Sequence, residues 1–191
     1  VQTCALPIYD GEHRDDTLPD TAPETVTALE ETRDALGGDF LQLVRLVLDC
    51  RGKVILSGVG KPGHIAGKIA STLSSLGTPA LFLHPTEAGH GSLGLIGRED
   101  LVLLLSYSGE SREVTGLLPC LRDIGCMTVA VTGRGDSALA LGCDHRYVLP
   151  EFREAGPPYP APTASTTALL ALGDAVAVTV ARARGFSREE F

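Results

Sequence analysis

The chain has 191 residues, of which 43% are hydrophobic, and its formal net charge is −8. This length suffices for one domain with a sizeable core, and the acidic balance argues against a nucleic-acid partner, whose phosphates attract clustered Lys and Arg. No apolar run approaches the roughly 18 residues of a membrane span, so we predict no membrane partner. The five cysteines show no CxxC spacing, so we predict a cytoplasmic protein with neither a zinc ribbon nor a disulfide scaffold.

The first twenty residues show no hydrophobic periodicity. We predict that residues 1–20 are a disordered or artefactual arm and that the folded domain covers residues 21–191. A helix is expected to begin near Pro23 and run to Leu36, where two glycines end it. A second helix follows, with apolar residues at helical spacing from Phe40 to Leu48.

Strands and helices then alternate along the chain. Short apolar runs predict five strands, at 53–57, 80–83, 101–105, 127–131 and 146–149. Helices are predicted at 64–76, around 114–121 with a kink or limit at Pro119, and at 163–184. This order predicts an α/β fold, a three-layer αβα sandwich around a five-stranded parallel sheet. Right-handed crossovers place every strand-to-helix loop at one edge of that sheet, where ligands bind.

The loop after the third strand is rich in hydroxyls. Ser106, Ser108, Gly109 and Ser111 form what we call the serine loop (residues 106–111). Backbone N–H groups at a helix start, with serine hydroxyls beside them, can cradle an anion such as phosphate. The alternative is an ordinary loop in which Ser111 only caps the next helix.

The loop after the first strand is rich in glycine. Gly58, Gly60 and Gly63 formally match a dinucleotide-binding loop, but the acidic residue expected about 20 positions later is replaced by His84. The spacing is not that of a P-loop either. We therefore expect glycine N–H groups close to a ligand, with Lys61 holding an anion or a ring oxygen.

The loop after the second strand carries two histidines and a glutamate. The spacing of His84, Glu87 and His90 matches no standard zinc pattern, so we predict no metal. One of the histidines can instead be a capping residue, and His90 is the stronger functional candidate because glycines flank it. Glu113 and Glu154 are both predicted near the same sheet edge, where paired carboxylates can transfer protons on a sugar phosphate.

Residues 54–191 resemble the sugar isomerase (SIS) domain of the KpsF/GutQ arabinose-5-phosphate isomerases. The motifs that carry the resemblance are Gly-x-Gly-Lys-x-Gly-His at 58–64, His-Pro-x-Glu-Ala-x-His-Gly at 84–91, Ser-x-Ser-Gly-Glu-Ser at 106–111, Ala-Pro-Thr-x-Ser-Thr-Thr at 161–167 and Leu-Gly-Asp-Ala at 172–175.

The resemblance implies an aldose–ketose isomerase that interconverts arabinose 5-phosphate and ribulose 5-phosphate through a cis-enediol, without a metal or organic cofactor. The matching catalytic positions are Lys61, His90, Glu113 and Glu154. The substrate and its phosphate would be held by Gly60, Ser106, Ser108, Gly109, Ser111, Thr163, Ser165 and Thr166. A glutamate desolvated toward neutral pH suits the role of the base, and the sequence does not separate Glu113 from Glu154 for it. Lys61 would stabilise charge on the enediolate, and His90 would assist ring opening or move a proton.

The chain departs from the family at three places. It has Pro62 where the family has serine and Ser92 where the family has aspartate. It also stops at Phe191, before the family's His-Pro-Gly-Gly segment and its pair of CBS domains, so we expect the chain alone to be catalytically incomplete.

Two other functions stay open: a non-catalytic sugar-phosphate-binding domain of a regulator, and an isomerase of a hexose or heptose phosphate. The long apolar last helix and the amphipathic N-terminal helices favour a homodimer or homotetramer, unless these helices simply pack on the sheet.

Overall fold

The computed structural model describes residues 23–155 and 161–189, so the arm predicted at 1–20 lies outside the described residues. One parallel sheet of five strands runs through the domain in the order β2-β1-β3-β4-β5. The strands are β1 (Val54–Gly58), β2 (Ala80–Phe82), β3 (Leu101–Leu105), β4 (Met127–Thr132) and β5 (His145–Val148). Each of the five strand predictions is confirmed to within two residues.

Helices cover both faces of the sheet, as predicted. On one face lie α2 (Gly38–Asp49), α3 (Gly60–Ser75) and α8 (Ala164–Arg184), with α1 (Pro23–Asp34) against α8. The other face carries the short helices α4 (Pro85–Gly89), α5 (Arg112–Thr115), α6 (Leu118–Ile124) and α7 (Ala138–Gly142). The three-layer αβα sandwich is confirmed.

The strand sequences explain why the sheet is covered on both sides. Every residue of β1 and β3 is buried, and successive side chains of a strand point to opposite faces. Leu56 and Leu103 belong to the core cluster beneath α2, α3 and α8, whereas Ile55 and Leu104 belong to the cluster beneath the short helices. A continuous apolar run is therefore what a central parallel strand requires.

The structure corrects two helix predictions. The third helix begins at Gly60 rather than at residue 64, because Gly60 adopts a left-handed φ of +61° and Pro62 fits a helix's first turn. The helix predicted around 114–121 is two helices, and Pro119 lies in the first turn of α6, so the proline marks a helix start instead of a kink. The short helices α4 and α7 were not predicted.

Helix α8 also corrects the expectation that no apolar segment approaches the length of a membrane span. Its 21 residues are long and apolar enough to cross a membrane by length and composition, with a mean hydropathy of 1.6 over 18 residues. More than half of that window is buried inside the domain, where the helix contacts α1, α2 and α3. Its apolar character is that of a core helix in contact with other helices.

Candidate functional site

The serine loop leaves the sheet at the end of β3 and folds back on itself. The Oγ atoms of Ser106 and Ser111 lie 2.9 Å apart, and Gly109 N donates to Ser106 Oγ at 3.2 Å. Gly109 has a φ of +68°, which favours glycine. Ser111 precedes α5 but its side chain makes no capping hydrogen bond, so the alternative in which Ser111 only caps the helix is wrong.

A cleft of about 290 Å³ opens beside this loop. It collects residues from four segments that the sequence separates widely: the end of β1, the serine loop, the segment after β5 and the start of α8. Its lining residues are Val59, Pro62, Leu105, Ser106, Tyr107, Ser108, Ser111, Glu154, Pro162 and Ser165. Hydroxyls and one carboxylate thus share a cleft of the size that suits a small polar ligand.

Glu154 binds the N-terminus of α8. One carboxylate oxygen, Oε2, accepts hydrogen bonds from Thr163 N (2.8 Å), Thr163 Oγ1 (3.2 Å) and Ser165 N (3.2 Å). The other, Oε1, accepts a short hydrogen bond from Ser165 Oγ. A carboxylate at this position also faces the positive end of the helix dipole.

These contacts decide the charge of Glu154. Burial by itself would raise the pKa of the carboxyl group, but the hydrogen bonds from Ser165 and Thr163 outweigh burial and lower the pKa below its ordinary value of 4.5. Our expectation of a glutamate desolvated toward neutral pH is therefore wrong for Glu154. The group is an ionised carboxylate at neutral pH.

Three other predicted catalytic residues, Lys61, His90 and Glu113, do not line the cleft. Lys61 lies in the first turn of α3, between Val59 and Pro62, which do line it. Glu113 lies in α5, and His90 follows α4, which contacts α5. All three side chains are exposed, and within residues 23–155 and 161–189 none has a hydrogen-bond or ion-pair partner. Their polar ends are therefore free to meet a ligand.

Gly60, Thr163 and Thr166 were also predicted to bind the substrate, and none of them lines the cleft. Gly60 begins α3, and the space where a Cβ would lie is open. Thr163 uses its hydroxyl for Glu154 and for Ala155 N (2.9 Å). Thr166 donates its hydroxyl proton to backbone carbonyls just before α8, at Pro162 (3.2 Å) and Thr163 (3.0 Å), and does not line the cleft.

His84 confirms the capping alternative for one of the two histidines. Its Nδ1 accepts a hydrogen bond from Thr86 N at 3.2 Å and thereby caps α4. In the described part of the chain, no group of three or more His, Cys, Asp or Glu side chains converges as a metal site.

Sequence reasoning missed Tyr107 as a cleft residue. Its ring stacks on Phe152, with centroids 5.9 Å apart, and its hydroxyl bonds the segment that leads to Glu154. An aromatic residue between two serines after a buried strand was the available signal.

The fold and the cleft define an α/β domain of the sugar-isomerase type, with hydroxyl donors and a carboxylate at the carboxyl edge of a parallel sheet. Residues 47–179 match the SIS domain family, and the chain belongs to that family.

Named relatives agree with this assignment. The chain is 46% identical over 158 residues to arabinose 5-phosphate isomerase GutQ of Escherichia coli K12, which covers 83% of the chain and 49% of that protein. It is 42% identical over 164 residues to arabinose 5-phosphate isomerase KdsD of Pseudomonas aeruginosa, covering 86% and 50%. The chain therefore spans about half the length of the curated relatives it matches.

Solved structures agree as well. The structure of E. coli CFT073 c3406 in complex with A5P superposes with a TM-score of 0.85 at 40% identity, covering 87% of this chain and 89% of that one. A protein of Bacteroides fragilis NCTC 9343, described as a phosphosugar isomerase involved in capsule formation, gives a TM-score of 0.79 at 34% identity, covering 86% of this chain and 92% of that one.

Proposed function

We propose that this chain carries the active site of an aldose–ketose isomerase that interconverts arabinose 5-phosphate and ribulose 5-phosphate. The observation that carries the proposal is the cleft itself, which joins the serine loop to the carboxylate of Glu154. The names of relatives above 40% identity support the substrate.

The residue roles follow from the charges around the cleft. The phosphate of the substrate binds at the serine loop, where hydroxyls and the backbone amides before α5 supply donors. A base removes the proton from C2 of the aldose and returns it to C1 of the enediolate. Glu154 is ionised and held in place, and Glu113 is exposed two residues after Ser111. Both remain candidates for the base.

Lys61 and His90 complete the proposed set. The ammonium group of Lys61, at the start of α3, stabilises negative charge on the enediolate oxygen. His90 assists ring opening or carries a proton between oxygens. Neither role needs a metal or an organic cofactor, because the open-chain aldose becomes the ketose by moving one proton from C2 to C1 and one proton from O2 to O1.

The test is ketopentose-phosphate formation from arabinose 5-phosphate by the Glu113→Gln and Glu154→Gln variants. A lost base lowers kcat by about 10²-fold or more. Glu99→Gln is the control, because Glu99 is an exposed carboxylate just before β3, at the opposite edge of the sheet. Full turnover by both site variants would refute the acid–base assignment.

The same assay should compare the 191-residue chain with a chain extended toward the length of its relatives. Activity of the short chain would show that Lys61, His90, Glu113 and Glu154 suffice. Activity of the long chain alone would mean that the site needs a residue outside these 191. Binding of the sugar phosphate without turnover in either chain would favour a regulatory domain or another sugar.

We further propose that the protein is a cytoplasmic homodimer or homotetramer. Large apolar side chains remain exposed on the outer helices: Val26 and Leu29 on α1 are 58% and 37% exposed, and Val178 on α8 is 40% exposed. Such residues are frequent in subunit contacts. Light scattering after size exclusion tests this, and a monomer at micromolar concentration would contradict it.

A further inference from the structure

Tyr107 has a hydroxyl whose contacts the proposed chemistry does not use. The residue stands between Ser106 and Ser108 and lines the cleft. Its hydroxyl donates to the carbonyl oxygen of Pro150 at 3.1 Å and accepts from Phe152 N at 2.8 Å. Both contacts cross to the segment that follows β5.

That segment, residues 150–155, has no helix or strand of its own. Its backbone polar groups must therefore be satisfied elsewhere. Phe152 N donates a hydrogen bond to the Tyr107 hydroxyl, and Ala155 N donates one to Thr163 Oγ1 at 2.9 Å. Glu154 lies between these two attachments, so its position depends on both.

The ring of Tyr107 is fixed by its neighbours. It stacks on Phe152 with an interplanar angle of 18°, and a Cβ added at Gly133 would lie 2.5 Å from the ring. The carbonyl oxygen of Tyr107 accepts hydrogen bonds from Gly133 N (2.9 Å) and Thr132 Oγ1 (3.1 Å). These contacts restrict the side chain of Tyr107 to one rotamer, in which the hydroxyl points at the backbone of residues 150–152.

We propose that Tyr107 is a positioning residue whose hydroxyl holds the Glu154 segment against the serine loop. Because Tyr107 is itself part of the serine loop, a phosphate that orders this loop also orders the carboxylate across the cleft. The expected effect on turnover rests on the proposed isomerase function. The expected effect on the position of residues 150–155 rests only on the two hydrogen bonds of the Tyr107 hydroxyl.

The protonation state of Tyr107 agrees with this role. Burial raises the pKa of the phenol, and the nearby carboxylates of Glu154 and Glu151 add to that effect, against the hydrogen bond from Phe152 N. The hydroxyl keeps its proton at neutral pH and can donate and accept at once.

The experiment compares Tyr107→Phe with Tyr147→Phe in the extended chain. Tyr107→Phe keeps the stacked ring and removes only the hydroxyl. Tyr147 is the matched control: it is 2% exposed, and its hydroxyl has no hydrogen-bond partner among the described residues. Each variant is measured for kcat, for KM with arabinose 5-phosphate, and for hydrogen exchange of the Phe152 amide by NMR.

Tyr107→Phe is expected to lower kcat by about tenfold or more, since small displacements of a catalytic group have large effects on rate. KM should change by less than about twofold, because the phosphate donors of the loop are intact. The Phe152 amide should exchange about fivefold faster, the effect of one lost hydrogen bond. Tyr147→Phe should leave all three quantities unchanged.

Unchanged kcat and unchanged Phe152 exchange in Tyr107→Phe, in a wild-type protein that turns over, would overturn the positioning role. An equal loss in Tyr147→Phe would overturn it too, because the effect would then belong to the core. No turnover by the wild-type protein would overturn the proposed function instead. The amide exchange would still decide whether the hydroxyl holds the segment.

Discussion

Replacing Ser165 by alanine tests the contacts of Glu154 through protein stability. Ser165 is 3% exposed, and its hydroxyl is the only described donor to Glu154 Oε1. The variant leaves Oε2 with its three partners and leaves Oε1 of this half-buried carboxylate with no described partner. The loss should therefore depend on whether the carboxyl group is charged.

The expected magnitude follows from the charge of the acceptor. A hydrogen bond to an ionised group contributes about 1.5–3 kcal/mol and one to a neutral group about 0.5–1.5 kcal/mol. Because the folded pKa of Glu154 is lowered, its stabilisation is complete above the ordinary value of 4.5 and is lost as the pH falls through the folded pKa. Ser165→Ala should cost about 2 kcal/mol at pH ~7, and this cost should fall toward about 1 kcal/mol once the pH is below the folded pKa of Glu154.

Urea unfolding over a series of falling pH values measures this dependence. Thr166→Val is the control, since the Thr166 hydroxyl donates to the uncharged backbone carbonyls of Pro162 and Thr163 and its small effect should not vary with pH. A Ser165→Ala loss that is absent at pH ~7, or that does not decrease as the pH falls, would refute the conclusion that the hydroxyl stabilises an ionised Glu154.

Three further substitutions test the frame around the cleft. Gly109→Ala should abolish sugar-phosphate binding in calorimetry and cost about 1–3 kcal/mol, because φ is +68° and the new Cβ would lie 2.0 Å from the serine hydroxyl that caps α7. Gly173→Ala should destabilise by about 1–3 kcal/mol, since its Cβ would lie 2.3 Å from Ile69 Cδ1, and Ile69→Ala should recover part of that loss in a double-mutant cycle. Asp100→Asn should cost about 2–3 kcal/mol at neutral pH. Burial would raise the pKa of Asp100, but its hydrogen bonds and its ion pair with Lys53 at 2.7 Å outweigh burial and lower that pKa. The cost should therefore decrease as the pH falls below 3.8.

The sheet was predictable because its strands are buried on both faces. A run such as 101–105 has no polar residue to assign to solvent, and that pattern fits a central parallel strand. The four-residue helix α5 and the five-residue helix α4 have too few residues for a helical repeat to show, so periodicity could not find them. Helix α3 was placed four residues late because glycines were assigned to a loop.

The site was predictable as a set of loops but not as a set of contacts. Placing the strand-to-helix loops at one edge correctly brought Ser106, Ser111, Glu154 and Ser165 to one cleft. The pairing of each hydroxyl with its acceptor depends on side-chain directions, and in the case of Tyr107 it joins segments about 45 residues apart in sequence. Tyr107 was missed for that reason, since its bonding partners at 150 and 152 are identified only by the folded geometry.

The hydrogen-bond donors at the start of α8 and those of the serine loop bind different groups. Thr163 and Ser165 were predicted to hold phosphate, but in this structure their N–H and O–H groups bind the carboxylate of Glu154. A helix N-terminus that already holds one anion attracts a second only weakly, because the two charges repel in a partly buried cleft. We therefore expect the phosphate to be held mainly by the serine loop. The sugar carbons would then lie between the phosphate and the carboxylate, as a proton transfer at C1 and C2 requires.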